Sequence, residues 1–317
     1  MVFLCWRDEM ADFPRITLII PTTGDPRVLE PLFDSIIKNT VGSYSVVILK
    51  QRTKHPAADY KKWKSMYKNW LFLDGTDNMI LTARNTGILE TYIPVNLPQG
   101  NQWFAEMDDD VILPPRWDED MIKAAELKED GVIFVPLIPF PFDMYYKDQV
   151  AVLPSRIWQS LFRNDLAELN AFYSEYVQVE EPKLKSCILP EYTFILRRNN
   201  ISFPTTHFLW DTAFDVVRNA SHANEDLMIR VKKYGASAYV VQSVMIFHRN
   251  LQRDIVHPRR YYAAADLRNY LTEKWPEYKL QFIKSALVTP GQAVKLEDAK
   301  INMAKGVPPN SVANRGA

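Results

Sequence analysis

Glycine is scarce in this sequence, with ten residues in 317 and no two of them closer than ten positions apart. Glycine-rich phosphate loops, the Gly-x-Gly-x-x-Gly turn of dinucleotide-binding proteins and the Gly-x-Ser-x-Gly turn of serine hydrolases all need closer spacing. The sequence therefore excludes these sites. A nucleotide bound by this protein would have to be held by some other group.

Cysteine, net charge and long apolar runs are also in short supply. The two cysteines, Cys5 and Cys187, have no metal-binding spacing and favour a reducing compartment. With 38 basic and 38 acidic side chains the formal net charge is zero, so we expect no nucleic-acid partner. The apolar stretch 132–142 is too short to cross a membrane, and early charged residues argue against a signal peptide. We expect a cytoplasmic protein without an integral membrane segment.

The first half of the chain alternates between apolar strands and amphipathic helices. Apolar runs predict buried strands at 16–20, 45–49, 70–73 and 102–107, and helical spacing of apolar residues predicts helices over 25–37, 80–92 and 118–128. This order is typical of an α/β fold with a mostly parallel sheet flanked by helices. The second half is less regular, with strands predicted at 192–196 and 238–247 and a helix at 224–234 that Gly235 ends.

Three consecutive aspartates, Asp108, Asp109 and Asp110, follow the predicted fourth strand directly. In parallel sheets ligands bind beyond the carboxyl ends of the strands, and Thr22 and Lys50 belong to the same edge. Adjacent carboxylates repel each other unless a cation or water intervenes, and hard oxygen ligands suit Mg²⁺ or Mn²⁺. The alternative is a solvated acidic turn. The place of the cluster in the α/β order favours a functional site.

Two further acids and one histidine are candidates for the same chemistry. Glu225 and Asp226 follow Asn224 at the start of a predicted helix, where acids also simply complement the helix dipole. His248 ends a predicted strand, and it is either a metal ligand or an ordinary histidine at a strand end. The residues alone leave both alternatives open.

Taken together, these pieces resemble the GT-A glycosyltransferases, close to the family 2 nucleotide-sugar transferases. The resemblance covers residues 16 to about 275. Its matching segments are 16–22, 82–87, 107–110, 224–227 with Arg230 and Gly235, His248, and 266–269. It implies a GT-A (Rossmann-like) catalytic domain, residues 1–250, with a nucleotide-binding half at about 14–135 and an acceptor half at about 136–250. Residues 251–317 would be a helical extension and a flexible tail.

The resemblance also implies an activity and residue roles. The protein would transfer a sugar from a nucleoside-diphosphate sugar to a hydroxyl acceptor on a glycan, lipid or protein, with inversion and with Mn²⁺ or Mg²⁺ as cofactor. Asp226 would be the general base, beside Glu225, and Asp108, Asp110 and His248 would hold the metal. The nucleotide sugar would contact Pro21, Thr22, Thr23, Arg84, Asn85, Asp108 and Asp109.

Three features leave alternatives open. Trp210 and Asp211 lie where such enzymes bind the acceptor, but Trp210 could equally belong to the core. After the second strand the family usually has an acidic residue that reads the base, whereas residues 49–53 contain none; Asp74 could substitute or be a turn residue. Arginines 249, 253, 259 and 260 could close over the diphosphate or could be an ordinary solvated approach to a helix.

Two other functions compete with sugar transfer. A phosphatase or phosphotransferase of the haloacid dehalogenase type would use Asp108 as nucleophile and Asp110 as acid. That class places the pair after the first strand and has Thr or Val where Ile112 stands, so the sequence disfavours it. The third possibility is a catalytically inactive GT-A protein that only binds a glycan or a partner.

Overall fold

A computed structural model of the protein describes residues 16–22, 24–51, 60–74, 80–92, 102–139, 150–151, 153–176, 182–187, 193–215, 223–249 and 269–278. The strands are β1 (Ile16–Thr22), β2 (Tyr44–Lys50), β3 (Leu71–Asp74), β4 (Trp103–Met107), β5 (Val111–Ile112), β6 (Gly131–Pro139), β7 (Val150–Ala151), β8 (Leu184–Ser186), β9 (Phe194–Arg198), β10 (Ser237–Met245) and β11 (Phe247–His248).

The α-helices are α1 (Pro26–Asn39), α2 (Tyr60–Met66), α3 (Ile80–Thr91), α4 (Trp117–Glu126), α5 (Ser155–Arg163), α6 (Leu166–Tyr176) and α7 (Ala223–Lys233). Short 3-10 helices occupy Thr205–Phe208, Thr212–Asp215 and Pro276–Tyr278, and residues 269–274 are helical. Among the described residues, no helix is both long and apolar enough to cross a membrane.

The central sheet has the strand order β3-β2-β1-β4-β9-β6-β10-β8, with β7 beside β6. Strands β3, β2, β1 and β4 are parallel, β9 is antiparallel to both β4 and β6, and β10 is parallel to β6. Strand β8 closes that end antiparallel to β10. The predicted α/β fold with a mostly parallel sheet flanked by helices is confirmed, and β9 is the strand that makes the middle of the sheet mixed.

Helices cover both faces of the sheet, so β1 is buried on both sides. Leu18 and Ile20 pack with Leu32 of α1, whereas Ile19 between them packs on the other face with Ala83 of α3. This burial explains the uninterrupted apolar run in β1. A larger cluster surrounds α5, α6, α7 and β10, and it includes the fully buried Leu271 from the predicted C-terminal extension.

Helix starts and ends follow local sequence signals where these exist. The Asp25 carboxylate accepts from the backbone N–H of Arg27, and Pro26 occupies the first helical position, so α1 begins where the predicted helix over 25–37 begins. Gly235 has φ of 71°, the left-handed conformation that ends α7. Helix α2 was not predicted because its seven residues bury only Trp63. One buried residue gives no repeating apolar pattern from which a helix could be predicted.

Gly87 allows α3 to lie directly on the sheet. A Cβ atom at this position would lie 2.6 Å from Cγ2 of Ile19 and 3.1 Å from Cδ1 of Leu49. Both neighbours are fully buried core residues, so neither can move away cheaply. The close approach matters for the candidate site because the same helix carries Arg84, which donates to Asp108 directly after β4, and Asn85, which contacts Trp210.

We predict that Gly87→Ala destabilises the protein by about 1–3 kcal/mol, since overpacking against β1 outweighs the better helix propensity of alanine. Urea unfolding followed by circular dichroism measures this difference. Leu89→Ala is the control, because Leu89 lies on the same helix and is 54% exposed. It should change stability by about 0.5 kcal/mol or less. Equal stability of Gly87→Ala and wild type would contradict the tight packing.

Candidate active site

The acidic turn after β4 meets His248 because two very short strands pair. Strand β5 is antiparallel to β11, with Val111 opposite His248, and the Arg249 N–H donates to the Asp110 carbonyl at 3.0 Å. This pairing places Nε2 of His248 3.2 Å from Oδ1 of Asp110. Asp108, Asp110 and His248 each offer a ligand atom, and these atoms all lie within 4.8 Å of one another.

The electrostatics of this cluster fit a divalent cation. Burial raises the pKa of Asp108 to about 7, the Arg84 guanidinium opposes that rise, and the neighbouring Asp110 carboxylate adds to it. A carboxylate that is costly to ionise beside another acid is stabilised by a bound cation. Two carboxylates and an imidazole form a donor set that suits Mn²⁺ or Mg²⁺. The residues present therefore fit the metal that the sequence predicted.

Arg84 is fully buried and pairs with acids of β4 and the turn after it. Its Nη2 donates to Oδ1 of Asp108 at 2.7 Å, and its Nη1 lies 3.8 Å from Oε2 of Glu106. The Glu106 carboxylate, itself fully buried, also accepts from Nε of Arg197 and from the indole N–H of Trp210. Arg84 therefore contacts Asp108 from the protein interior and has no exposed surface of its own.

Asn85 fixes the backbone next to Trp210. Its side chain accepts from the Trp210 N–H and donates to the Trp210 carbonyl, both at 2.8 Å. The indole is 3% exposed and lies between the guanidinium groups of Arg84 and Arg197, 5.9 Å and 5.0 Å from its ring centroid. This burial favours the core alternative for Trp210 over direct contact with an acceptor.

The end of β1 is tied to the acidic turn. The Thr22 hydroxyl donates to Oδ2 of Asp109 at 2.6 Å and accepts from the Gly24 N–H at 2.9 Å. Pro21 is buried in β1 opposite Leu49. Thr23 lies outside the described residues. Asp109 therefore joins two strand ends, and it does not belong to the group of possible metal ligands.

Asp226 is fully buried near the start of α7, and three side chains surround its carboxylate. Arg230 Nε donates to Oδ2 at 2.9 Å, while the Trp275 indole N–H donates to Oδ1 at 2.8 Å and Lys274 Nζ lies 2.6 Å from Oδ1. Glu225 is half-buried. Asp211 is held by the same lysine, whose Nζ lies 2.6 Å from its Oδ2.

Several residues that organise the site were missed by sequence reasoning. Glu106 and Arg197 are charged residues inside otherwise apolar strands, which was a usable signal for a buried ion pair. Asp215 caps α3 across a long sequence separation by accepting from the N–H groups of Leu81 and Thr82, at 2.9 and 2.5 Å. Nothing in the sequence around Asp215 indicates that contact.

The structure describes the surroundings of two basic residues from the sequence analysis. Lys50 ends β2, and its Nζ lies 3.9 Å from the exposed Asp74 carboxylate and 4.9 Å from the Tyr60 ring centroid. The charged group at this strand end is therefore the ammonium of Lys50. Arg249 is buried, and its guanidinium donates to Asn164 and to the carbonyls of Arg27 and Val28. Arg249 therefore anchors the chain after β11 to α1, whereas arginines 253, 259 and 260 lie outside the described residues.

Comparison with known proteins identifies the family. The model of "Glycosyl transferase family 2" matches residues 17–182, more than half of the chain. This protein belongs to glycosyl transferase family 2. The match includes the acidic turn after β4, and membership of this family disfavours the dehalogenase-type phosphatase alternative.

One solved structure shares the fold of this family 2 protein at low sequence identity. GalNAc-T7 with UDP, GalNAc and Mn²⁺ aligns with a TM-score of 0.52 and 11% identity, over 75% of this chain and 44% of that chain. TarS residues 1–349 from S. aureus in complex with UDP align with a TM-score of 0.48 and 10% identity, over 78% of this chain and 62% of that chain. This chain thus spans less than two thirds of either structure. No curated protein matches the sequence.

We predict that Mn²⁺ stabilises this family 2 protein more at about pH 8 than at about pH 5.5. Metal binding requires an ionised Asp108, whose pKa in the metal-free fold is raised from 3.8 to about 7. Affinity should therefore fall as pH drops through 7, by about 30-fold at pH 5.5 relative to pH 8. Thermal shift with and without Mn²⁺ measures the effect, Asp110→Asn should abolish it, and a pH-independent shift would contradict the site.

We also predict that Arg84→Met destabilises the fold by about 3–5 kcal/mol, because it removes the guanidinium that donates to Asp108 and one of the two guanidinium groups that pair with the buried Glu106 carboxylate. Equilibrium unfolding in guanidinium chloride measures the loss. Arg116→Met is the matched control, since its pair with Glu119 is exposed and should contribute about 0.5 kcal/mol. Similar stability of both variants would show that Arg84 does not support the acids.

Proposed function

We propose that this family 2 protein transfers a sugar from a nucleoside-diphosphate-sugar donor to a hydroxyl acceptor, with a divalent cation and with inversion at the anomeric carbon. The observation that carries the proposal is the group of Asp108, Asp110 and His248, with ligand atoms within 4.8 Å of one another. This group lies at the carboxyl end of a strand in a mostly parallel sheet, where ligands of such folds bind.

Asp108, Asp110 and His248 would hold Mn²⁺ or Mg²⁺. When bound, the cation neutralises the negative charge that develops on the nucleoside diphosphate as it leaves. Arg84 keeps Asp108 in position through the 2.7 Å hydrogen bond between them. Thr22 and Asp109 keep the end of β1 beside the acidic turn, and this would form one side of the nucleotide pocket together with Pro21 and Thr23.

Asp226 would be the general base that takes the proton from the acceptor hydroxyl as the acceptor oxygen attacks the anomeric carbon. Attack from the face opposite the leaving diphosphate inverts that carbon. Asp211 connects to Asp226 through Lys274, so a role of Asp211 near the acceptor would act through this contact. The half-buried Glu225 lies next to Asp226 on α7.

The donor base is left open by the residues at the strand ends. The presence of UDP, GalNAc and Mn²⁺ in the GalNAc-T7 structure supports a nucleotide sugar and Mn²⁺ as first choices. Lys50 at the end of β2 takes the place where the resemblance led us to expect an acidic residue. A panel of UDP-, GDP- and dTDP-sugars is therefore required. The acceptor class and the expected cytoplasmic location stay predictions.

We predict that the protein releases nucleoside diphosphate from one member of this panel only when Mn²⁺ or Mg²⁺ is present. Asp110→Asn should reduce release to background because it removes a metal ligand, and Asp226→Asn should lower kcat by about 100-fold or more. Product release is measured by a coupled nucleotide assay, and anomeric configuration by nuclear magnetic resonance. Asp34→Asn, on the exposed face of α1, is the matched control and should keep wild-type kcat.

Other outcomes would decide between the alternatives. Turnover that persists in EDTA would contradict the metal role of the cluster. Wild-type kcat in Asp226→Asn would show that another residue is the base. Glycan binding by calorimetry, without nucleotide binding or turnover, would establish the inactive glycan-binding protein instead.

A further inference from the structure

Residues 269–278 contact the proposed general base, Asp226. Both the segment and Asp226 lie beyond the family match, which ends at residue 182. Lys274 Nζ and the Trp275 indole N–H both reach Oδ1 of Asp226, at 2.6 and 2.8 Å. On Oδ2 the donor is Nε of Arg230, from α7 itself. A carboxylate has about two lone-pair sites on each oxygen. The described residues therefore fill both sites of Oδ1 and one site of Oδ2.

The segment 269–278 is part of the folded protein. Leu271 is fully buried in the largest core cluster, and the Tyr270 ring meets Phe214 edge-on at 5.3 Å between centroids. Glu277 Oε1 lies 2.7 Å from Lys233 Nζ on α7. These contacts fix the backbone on either side of Lys274 and Trp275, so the two side chains approach Asp226 from a defined direction.

Lys274 also joins Asp226 to Asp211. Its Nζ lies 2.6 Å from Oδ2 of Asp211, and the Tyr270 hydroxyl donates to the same oxygen at 2.7 Å. Burial alone would raise the pKa of Asp211, but hydrogen bonds from Lys274, from the Ala213 N–H and from Tyr270 lower it below its ordinary value. Two carboxylates and one ammonium thus form a compact group in which the lysine is shared.

We propose that Lys274 and Trp275 are positioning residues for Asp226, so that the catalytic site of this protein includes residues 269–278. The inference rests on the proposed function, in which Asp226 accepts the proton of the acceptor hydroxyl. Trp275 and Lys274 fix Oδ1, and Oδ2 keeps a lone pair, so Oδ2 is the atom that receives the proton. Charge supports this role, because the ammonium stabilises the ionised carboxylate that a base requires.

The full burial of Asp226 sets a condition on this arrangement. An acceptor hydroxyl reaches Oδ2 only when a side chain beside it shifts. Arg230 is the neighbour that contacts Oδ2, and its side chain is 17% exposed, so a shift of Arg230 opens that oxygen. Lys274 and Trp275 then remain on Oδ1 and keep the carboxylate oriented.

The test uses the full chain and the nucleotide sugar that the panel identifies, with Mn²⁺ and water as the acceptor. Trp275→Phe keeps the ring and removes the N–H, and we expect kcat to fall about ten-fold with donor KM and Mn²⁺ affinity unchanged. Lys274→Met should have a similar effect, and Lys274→Arg, which retains the charge, should restore most of the activity. Trp70→Phe, in the aromatic cluster beside Phe33 and Tyr67, is the matched control with wild-type kcat.

A second measurement reads the contact without turnover. The indole ¹H–¹⁵N resonance of Trp275, assigned by its loss in Trp275→Phe, should move in Asp226→Ala and stay in place in Asp34→Asn. The inference is overturned if the Trp275 and Lys274 variants keep kcat within about two-fold, or if kcat and donor affinity fall together. An unmoved indole resonance in Asp226→Ala overturns the contact itself. Absence of turnover in wild type with any donor is the separate result that removes the proposed function and this inference with it.

Discussion

The buried carboxylate of Glu106 is the interaction on which the arrangement of this site depends. It lies inside β4 with no exposed surface, and Arg84, Arg197 and Trp210 converge on it from three different parts of the chain. A buried carboxylate is tolerated only when cations and donors compensate for lost hydration. Meeting that requirement forces α3, β9 and the segment after Phe208 to lie where they do.

Two partners of Glu106 lead on to residues of the proposed site. Arg84 continues to Asp108 and the possible metal ligands, and Arg197 also donates to the Phe208 carbonyl at 2.7 Å. Trp210 precedes Asp211, which shares Lys274 with Asp226. Contacts of this kind therefore connect the possible metal ligands with the proposed base. Hydrogen bonds and ion pairs in such a network limit the arrangements of its members, which would suit a catalytic site.

Electrostatic balance also explains how a chain of zero net charge can concentrate acids at one edge. Asp108, Asp109 and Asp110 are compensated locally, by Arg84, by the Thr22 hydroxyl and by His248. Burial raises the pKa of Asp108 to about 7 despite the Arg84 guanidinium beside it. A divalent cation bound there would supply further compensating charge. The scarcity of glycine follows from the same design, since this grip on a diphosphate would need no glycine-rich loop.

The sequence by itself determined the α/β fold and the position of the acidic turn at a strand end, because apolar periodicity and helix signals act over a few residues. Short-range caps such as Asp25 and Gly235 were predictable for the same reason. Tertiary structure alone decided that His248 lies beside Asp110, that Arg84 points into the interior, and that Lys274 and Trp275 reach Asp226. These contacts join residues that are distant in the chain, and they form because buried charges must find partners wherever the fold brings them together.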